Sequence, residues 1–112
     1  MRSVFILIIS GMLVTNCTKE KIDAPPCILT KIAQQKSRSV RNPPGSVIEY
    51  EYQGKIVYLI PADCCDQYDL LFDSNCNLIC APSGGITGSG DRGCTDFYSQ
   101  AKLIREVWRD PR

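Results

Sequence analysis

Residues Ser46–Pro61 read SVIEYEYQGKIVYLIP. From Ser46 to Gln53 side chains alternate, with Ile48, Tyr50 and Tyr52 on one face and Val47, Glu49 and Glu51 on the other. Period-two patterning rich in β-branched and aromatic residues marks a strand. Gln53-Gly54-Lys55 is a tight turn, and Lys55–Pro61 resumes the strand pattern. The stretch therefore predicts a β-hairpin. Downstream, Asp69–Asp73 and Asn77–Ala81 form a second, shorter hairpin about Ser74-Asn75. Asp73-x-Asn75-x-Asn77 has the start of a calcium loop but lacks its glycine and its closing glutamate. Turn-forming Asx residues are the better reading there.

Outward from the hairpins, both flanks read as helices. Pro25-Pro26 precedes Ile28, Leu29 and Ile32 at helical spacing, and prolines suit a first turn because its N–H groups lack intrahelical partners. Asn42-Pro43-Pro44-Gly45 ends that segment. At the other end, Phe97, Ala101, Ile104 and Trp108 fall at i, i+4, i+7 and i+11, predicting a helix over Thr95–Arg109 capped by Thr95. The expected fold is α+β: an antiparallel sheet of about four strands in two hairpins, flanked by an N-terminal and a C-terminal helix packed on one face and stapled by disulfides.

The chain has 112 residues, seven cysteines, no histidine and a net charge of +1. That length holds one small domain. Without histidine there is no Ser-His-Asp or Cys-His relay and no histidine metal ligand. Near-neutral charge argues against nucleic acid as a partner. Val4–Val14 is a short apolar run behind Arg2, too short to span a bilayer, and it fits a secretory leader. Val14-Thr15-Asn16-Cys17 resembles a bacterial lipobox, with Asn16 departing from the usual small residue. Residues 1–16 are then a lipoprotein signal peptide, Cys17 the lipid attachment point, 17–24 a polar tether and 25–112 a single cysteine-rich domain. Removing 1–16 takes away Arg2 and no acid, leaving no net charge. Thr18-Lys19 after Cys17 carries no acid, which by analogy with sorting signals favours the outer over the inner membrane.

Parity supports that address. Setting Cys17 aside leaves Cys27, Cys64, Cys65, Cys76, Cys80 and Cys94, an even set able to pair in an oxidising compartment. Adjacent cysteines bridge poorly, so Cys64 and Cys65 are expected to tie different elements, with Cys27 joined to one of them. The remaining connectivity stays open. No Cys-x-x-Cys opens a helix for thiol exchange, and Cys76-x₃-Cys80 alone has zinc-like spacing. Disulfides, with no metal and no cofactor, are therefore expected.

Pro82–Gly93 (PSGGITGSGDRG) is a loop. Its residues Gly84, Gly85, Thr87, Gly88, Gly90 and Asp91 are the candidate binding loop, as an anion nest of backbone N–H groups or, more simply, as glycines turning the chain between two cysteines. No lysine completes a phosphate loop. Asp66, Asp69, Asp73 and Asp91 surround the cysteine region, and paired carboxylates can do acid–base work. Exposed tyrosines drawn from Tyr50, Tyr52, Tyr58, Tyr68 and Tyr98 would mark a binding face.

The pieces CCDQ (64–67), CN-x-x-C-x-P-x-GG-x-TG-x-GD (76–91) and C-x-DF (94–97) are similar to small, cysteine-rich Bacteroidota-type lipoproteins carrying a domain of unknown function. The resemblance runs over Pro26–Arg112, with Arg92 standing where a small residue belongs. It implies an envelope address and a fold unit, and no activity or catalytic residue. The sequence thus points to a non-enzymatic, lipid-anchored module binding a protein or glycan. The alternative is a small inhibitor presenting Pro82–Gly93 to a protease.

Overall fold

The structure, a computed structural model, describes residue 11 and residues 21–112. Cys17 and all of the leader but Gly11 lie outside the described residues. Helix α1 (Pro26–Lys36) is followed by strands β1 (Ser46–Tyr52), β2 (Lys55–Ile60), β3 (Tyr68–Asp73) and β4 (Leu78–Gly84). A four-residue helix α2 (Phe97–Gln100) and strand β5 (Lys102–Arg109) complete the domain. One antiparallel sheet runs β4-β3-β2-β1-β5, so the last strand crosses back to pair with the first. The fold is small α+β, with three disulfides.

Local chemistry explains the hairpins. Tyr52 pairs with Lys55, leaving Gln53 and Gly54 as a two-residue turn with both φ angles positive, the geometry matching strand twist. Between β3 and β4 the Asp73 carboxylate accepts the backbone N–H groups of Asn75 and Asn77, both at 2.9 Å. Those donors hold the Asp73 carboxyl below its usual range. Asp73 is thus the turn-former itself.

Both sheet faces are buried. On one, Val57, Leu59, Leu71 and Tyr52 pack with Phe97 of α2 and with Cys80 and Cys94. On the other, Val47, Tyr58, Val107 and Trp108 meet Ile28 and Ile32 of α1. The helices therefore cover opposite faces, not one. Ile22 and Ala24 join the α1 side, so packing starts before Pro25. Among the described residues no helix is long and apolar enough to cross a membrane.

The C-terminal helix expected over Thr95–Arg109 is a correction. Helical geometry stops at Gln100; Ala101 is extended, and Lys102–Arg109 is strand β5. Its apolar residues fall in adjacent pairs, Leu103-Ile104 and Val107-Trp108, without alternation, but β1 has an open edge that a strand can fill and a helix cannot, and two register shifts fit the segment to it. Asp96, not Thr95, occupies the N-cap position.

The cysteines pair Cys27–Cys76, Cys64–Cys65 and Cys80–Cys94. The neighbours Cys64 and Cys65 bridge each other, against expectation, and Cys27 reaches Cys76. The reason is topological. Cys76 lies in the β3–β4 turn, which comes beside the start of α1, whereas Cys64 and Cys65 occupy an exposed turn after β2. Cys65 takes a positive φ there, a backbone state outside the usual extended one.

Phe97 is fully buried and meets Tyr50, Tyr52 and Tyr98 edge-on, at centroid separations of 4.9, 5.3 and 5.0 Å. Phe97→Ala should cost about 3–5 kcal/mol in denaturant unfolding, a large share of the stability of a domain this size. A loss under about 1 kcal/mol would show that Phe97 is not the peg of its face.

Candidate binding surface

The loop expected over Pro82–Gly93 starts only at Gly85, because Pro82–Gly84 complete β4, where Ser83 and Gly84 pair with Asp69 and Tyr68 of β3; it is closed at its base by the Cys80–Cys94 bridge. Its glycines serve its shape. Gly84 has φ +80°, and a side-chain carbon there would meet the Gln67 carbonyl; at Gly90, with φ +70°, one would overlap the Ala81 carbonyl. The backbone donors turn inward: Gly85 N–H to Gln67 O (3.0 Å), Gly88 to Gly85 O (3.2 Å), Gly90 to Gly84 O (3.0 Å) and Asp91 to Ala81 O (2.9 Å). Thr87 Oγ1 accepts Ser89 N–H, and the Asp91 carboxylate accepts Gly93 N–H. Donors so engaged do not form an open anion nest. The loop is instead rigid, with Ile86 at its tip 90 % exposed.

Two aromatic rings flank the loop's root. Tyr68, 48 % exposed, lies against Gly85 closely enough that any side chain there would strike its ring. Tyr98, 58 % exposed, shares a 2.6 Å hydrogen bond with Ser83 Oγ. Ser83 in turn donates to Asp69 (2.7 Å), whose other oxygen accepts the Ala62 N–H (2.7 Å). Of the five tyrosines, Tyr52 and Tyr58 are core residues and Tyr50 packs against Phe97. Tyr52 donates to Asp96 at 2.5 Å, and that bond pushes its phenol pKa up.

The four acids singled out above serve separate jobs. Asp69 anchors Ser83, Asp73 and Asp91 hold turns, and Asp66 is exposed. The carboxyl groups with displaced titration, Asp73, Glu106 and Asp110, all move downward. None is poised as an acid near neutrality.

Tyr68 also borders a groove of about 210 Å³ between α1 and β2–β3, where Lys31 stands 4.1 Å over the Phe72 ring. Beyond it is a more polar cavity of about 540 Å³. There Arg38 (3.1 Å) and Arg41 both bond Asp63, clipping the loop after α1 to the Cys64–Cys65 turn. Arg41 also donates to Gln35 Oε1 at 3.3 Å, while the buried Gln35 Nε2 has no partner among the described residues. Sequence reasoning missed this cluster. Arg38, Arg41 and Asp63 are ordinary loop residues until tertiary structure joins them, and no local pattern announces that.

The family described as Domain of unknown function (DUF6970) matches residues 33–110. The chain belongs to this family. The DUF6970 match takes in every strand, the whole loop and five of the disulfide cysteines, leaving Cys27 outside. No curated protein and no solved structure matches the chain.

Asp110, beside the polar cavity, is bound by Arg112 through Nε (3.0 Å), Nη2 (2.8 Å) and the backbone N–H (3.0 Å). These bonds hold its carboxyl at about 2, below the ordinary 3.8. A folded-state pKa below the unfolded one gives stability that is complete above about pH 4 and lost as pH falls toward about 2. The thermal midpoint should therefore hold from about pH 7 to 5 and fall below about 4. Asp110→Asn should lower it at neutral pH and make the acid fall shallower. An equally steep fall in the variant would contradict this role.

Proposed function

We propose that this DUF6970 chain is an exported, lipid-anchored envelope protein whose domain binds a partner without catalysing a reaction, through the Ile86 loop and its flanking Tyr68 and Tyr98. One observation carries the binding reading: a loop closed by a disulfide and by its own hydrogen bonds presents a large apolar side chain fully to solvent. Holding an exposed apolar residue on a rigid support lowers the entropy lost when it is buried against a partner. The partner this suits is a protein or glycan surface with an apolar recess. The three disulfides support export. The lipobox at Val14–Cys17 and the cysteine parity support acylation of Cys17, and the missing acid after it favours the outer membrane. Downward-shifted carboxyl groups and a chain without histidine support a non-enzymatic role.

The same rigid loop favours a second reading, a protease inhibitor presenting Pro82–Gly93, because inhibitory loops are ordered before they bind.

Two measurements test these readings. The mass of the mature chain should show acyl groups on Cys17 and no free thiols among the other six. An unacylated Cys17 would remove the anchor. Immobilised domain should retain at least one envelope component about ten-fold better than a folded Ile86→Asp variant does, the loss expected for an apolar anchor. Equal retention would remove the loop from the binding surface. Retention of a protease, with inhibition lost in Ile86→Asp, would select the second reading.

A further inference from the structure

The groove over Phe72 and the polar cavity beyond it are one continuous depression, because Gln35, Arg38 and Asp63 line both. Its ends differ in chemistry. One is lined by the apolar side chains of Ile60, Pro61, Leu70 and Phe72, the other by Arg38, Arg41 and Gly45.

Charge along the depression does not balance. Arg112 takes up Asp110, so Asp63 alone faces Lys31, Arg38 and Arg41. Lys31 stands over the Phe72 ring and has no carboxylate partner among the described residues. The Arg41 side chain, 19 % exposed, shares its one carboxylate with Arg38. A guanidinium carries five N–H donors. Arg41 uses its donors on Asp63 and Gln35 Oε1, and Arg38 uses one on Asp63. Donors remain at this end for a further anion.

Gly45 keeps the polar end open. Its φ is not positive, so its backbone has no need of glycine. A side-chain carbon there would nevertheless stand 2.5 Å from Gln35 Oε1 and 3.2 Å from Arg41 Nη2, displacing both. The buried Nε2 of that same amide has no acceptor among the described residues, so this corner is short of oxygens as well as of negative charge.

A ligand matching both ends joins a carboxylate to an apolar group. Gln34 of α1 and Gln67 before β3 border the apolar end. An alkyl chain offers their amides nothing, whereas a peptide backbone offers each a partner. We propose that the depression binds the C-terminus of a peptide ending in an apolar residue. The terminal carboxylate bonds Arg38 and Arg41, and the last side chain lies on Ile60, Leu70 and Phe72. The site reads chain ends rather than chain interiors. It is separate from the Ile86 loop and independent of the lipid anchor.

The test uses the full chain made with its own leader in a bacterial host, held in nanodiscs when acylated and in buffer when not. The probe is N-acetyl-Ala-Ala-Leu. Calorimetry should give a Kd below about 1 mM. Its C-terminal carboxamide should bind at least about ten-fold more weakly, for want of the charged pair. Arg38→Gln, shown to be folded by circular dichroism, should weaken the acid about ten-fold and leave the carboxamide unchanged. Equal binding of acid and carboxamide, no binding of either, or an Arg38→Gln variant that holds the acid as well as the parent overturns the proposal. Dodecanoic acid bound where the peptide is not would overturn the peptide and assign the depression to an alkyl carboxylate. Acetate bound as tightly as the peptide would overturn it too, leaving a non-selective anion site.

Discussion

The sheet has two apolar faces and only a short chain with which to cover them. α1 covers one. The other depends on the return segment from Gly85 to Ala101, which contains little regular structure of its own and is held down by Phe97 and by the Cys80–Cys94 bridge. Closing a chain separation of 14 contributes about 3 kcal/mol in the chain-entropy account, and the Cys27–Cys76 separation of 49 about 4 kcal/mol. Those amounts are comparable with the whole net stability of a small domain. The bridge and the ring act together. The disulfide restricts where the segment can go, and the aromatic contacts among Tyr50, Tyr52, Phe97 and Tyr98 fix it in one place. A loop rigid enough to present Ile86 follows from that covering.

Charge finishes the edges of the structure. Glu49, nearly buried, faces Arg105 across the β1–β5 register and bonds it at 3.1 Å. That pair joins the strand that returns last to the strand that forms first in the chain. Arg38 and Arg41 meet Asp63 at one end of the sheet, and Arg112 holds Asp110 nearby. Partly exposed pairs of this kind add little energy each. They set the positions of the chain segments that border the polar cavity.

Local elements were legible in the sequence and long-range ones were not. The hairpin over Ser46–Ile60 was plain because alternation and the Gln53-Gly54 turn lie within a few residues of each other. The β3–β4 turn was plain because Asp73 binds its own neighbours. Residues 97–108 carried a helical stripe through Phe97, Ala101, Ile104 and Trp108 and no strand alternation, and the open edge of β1, a tertiary demand, overrode that stripe from Lys102 onward. Cysteine parity gave three bridges, while pairing depended on which turn folds beside α1. At the binding surface, the loop was visible from its glycines. Its bracketing by Tyr68 and Tyr98, and the exposure of Ile86 rather than of the backbone donors, required the fold.

The central claim is that one bridge holds the second layer over the sheet and the loop in its shape. Hydrogen exchange on a Cys80→Ser/Cys94→Ser variant tests it most directly. The account predicts that amide protection collapses across residues 84–101, including the Gly85, Gly90 and Asp91 bonds, while α1 and the β1–β2 hairpin keep most of theirs. Loop protection unchanged from the parent protein, in a variant shown to be folded, would contradict it.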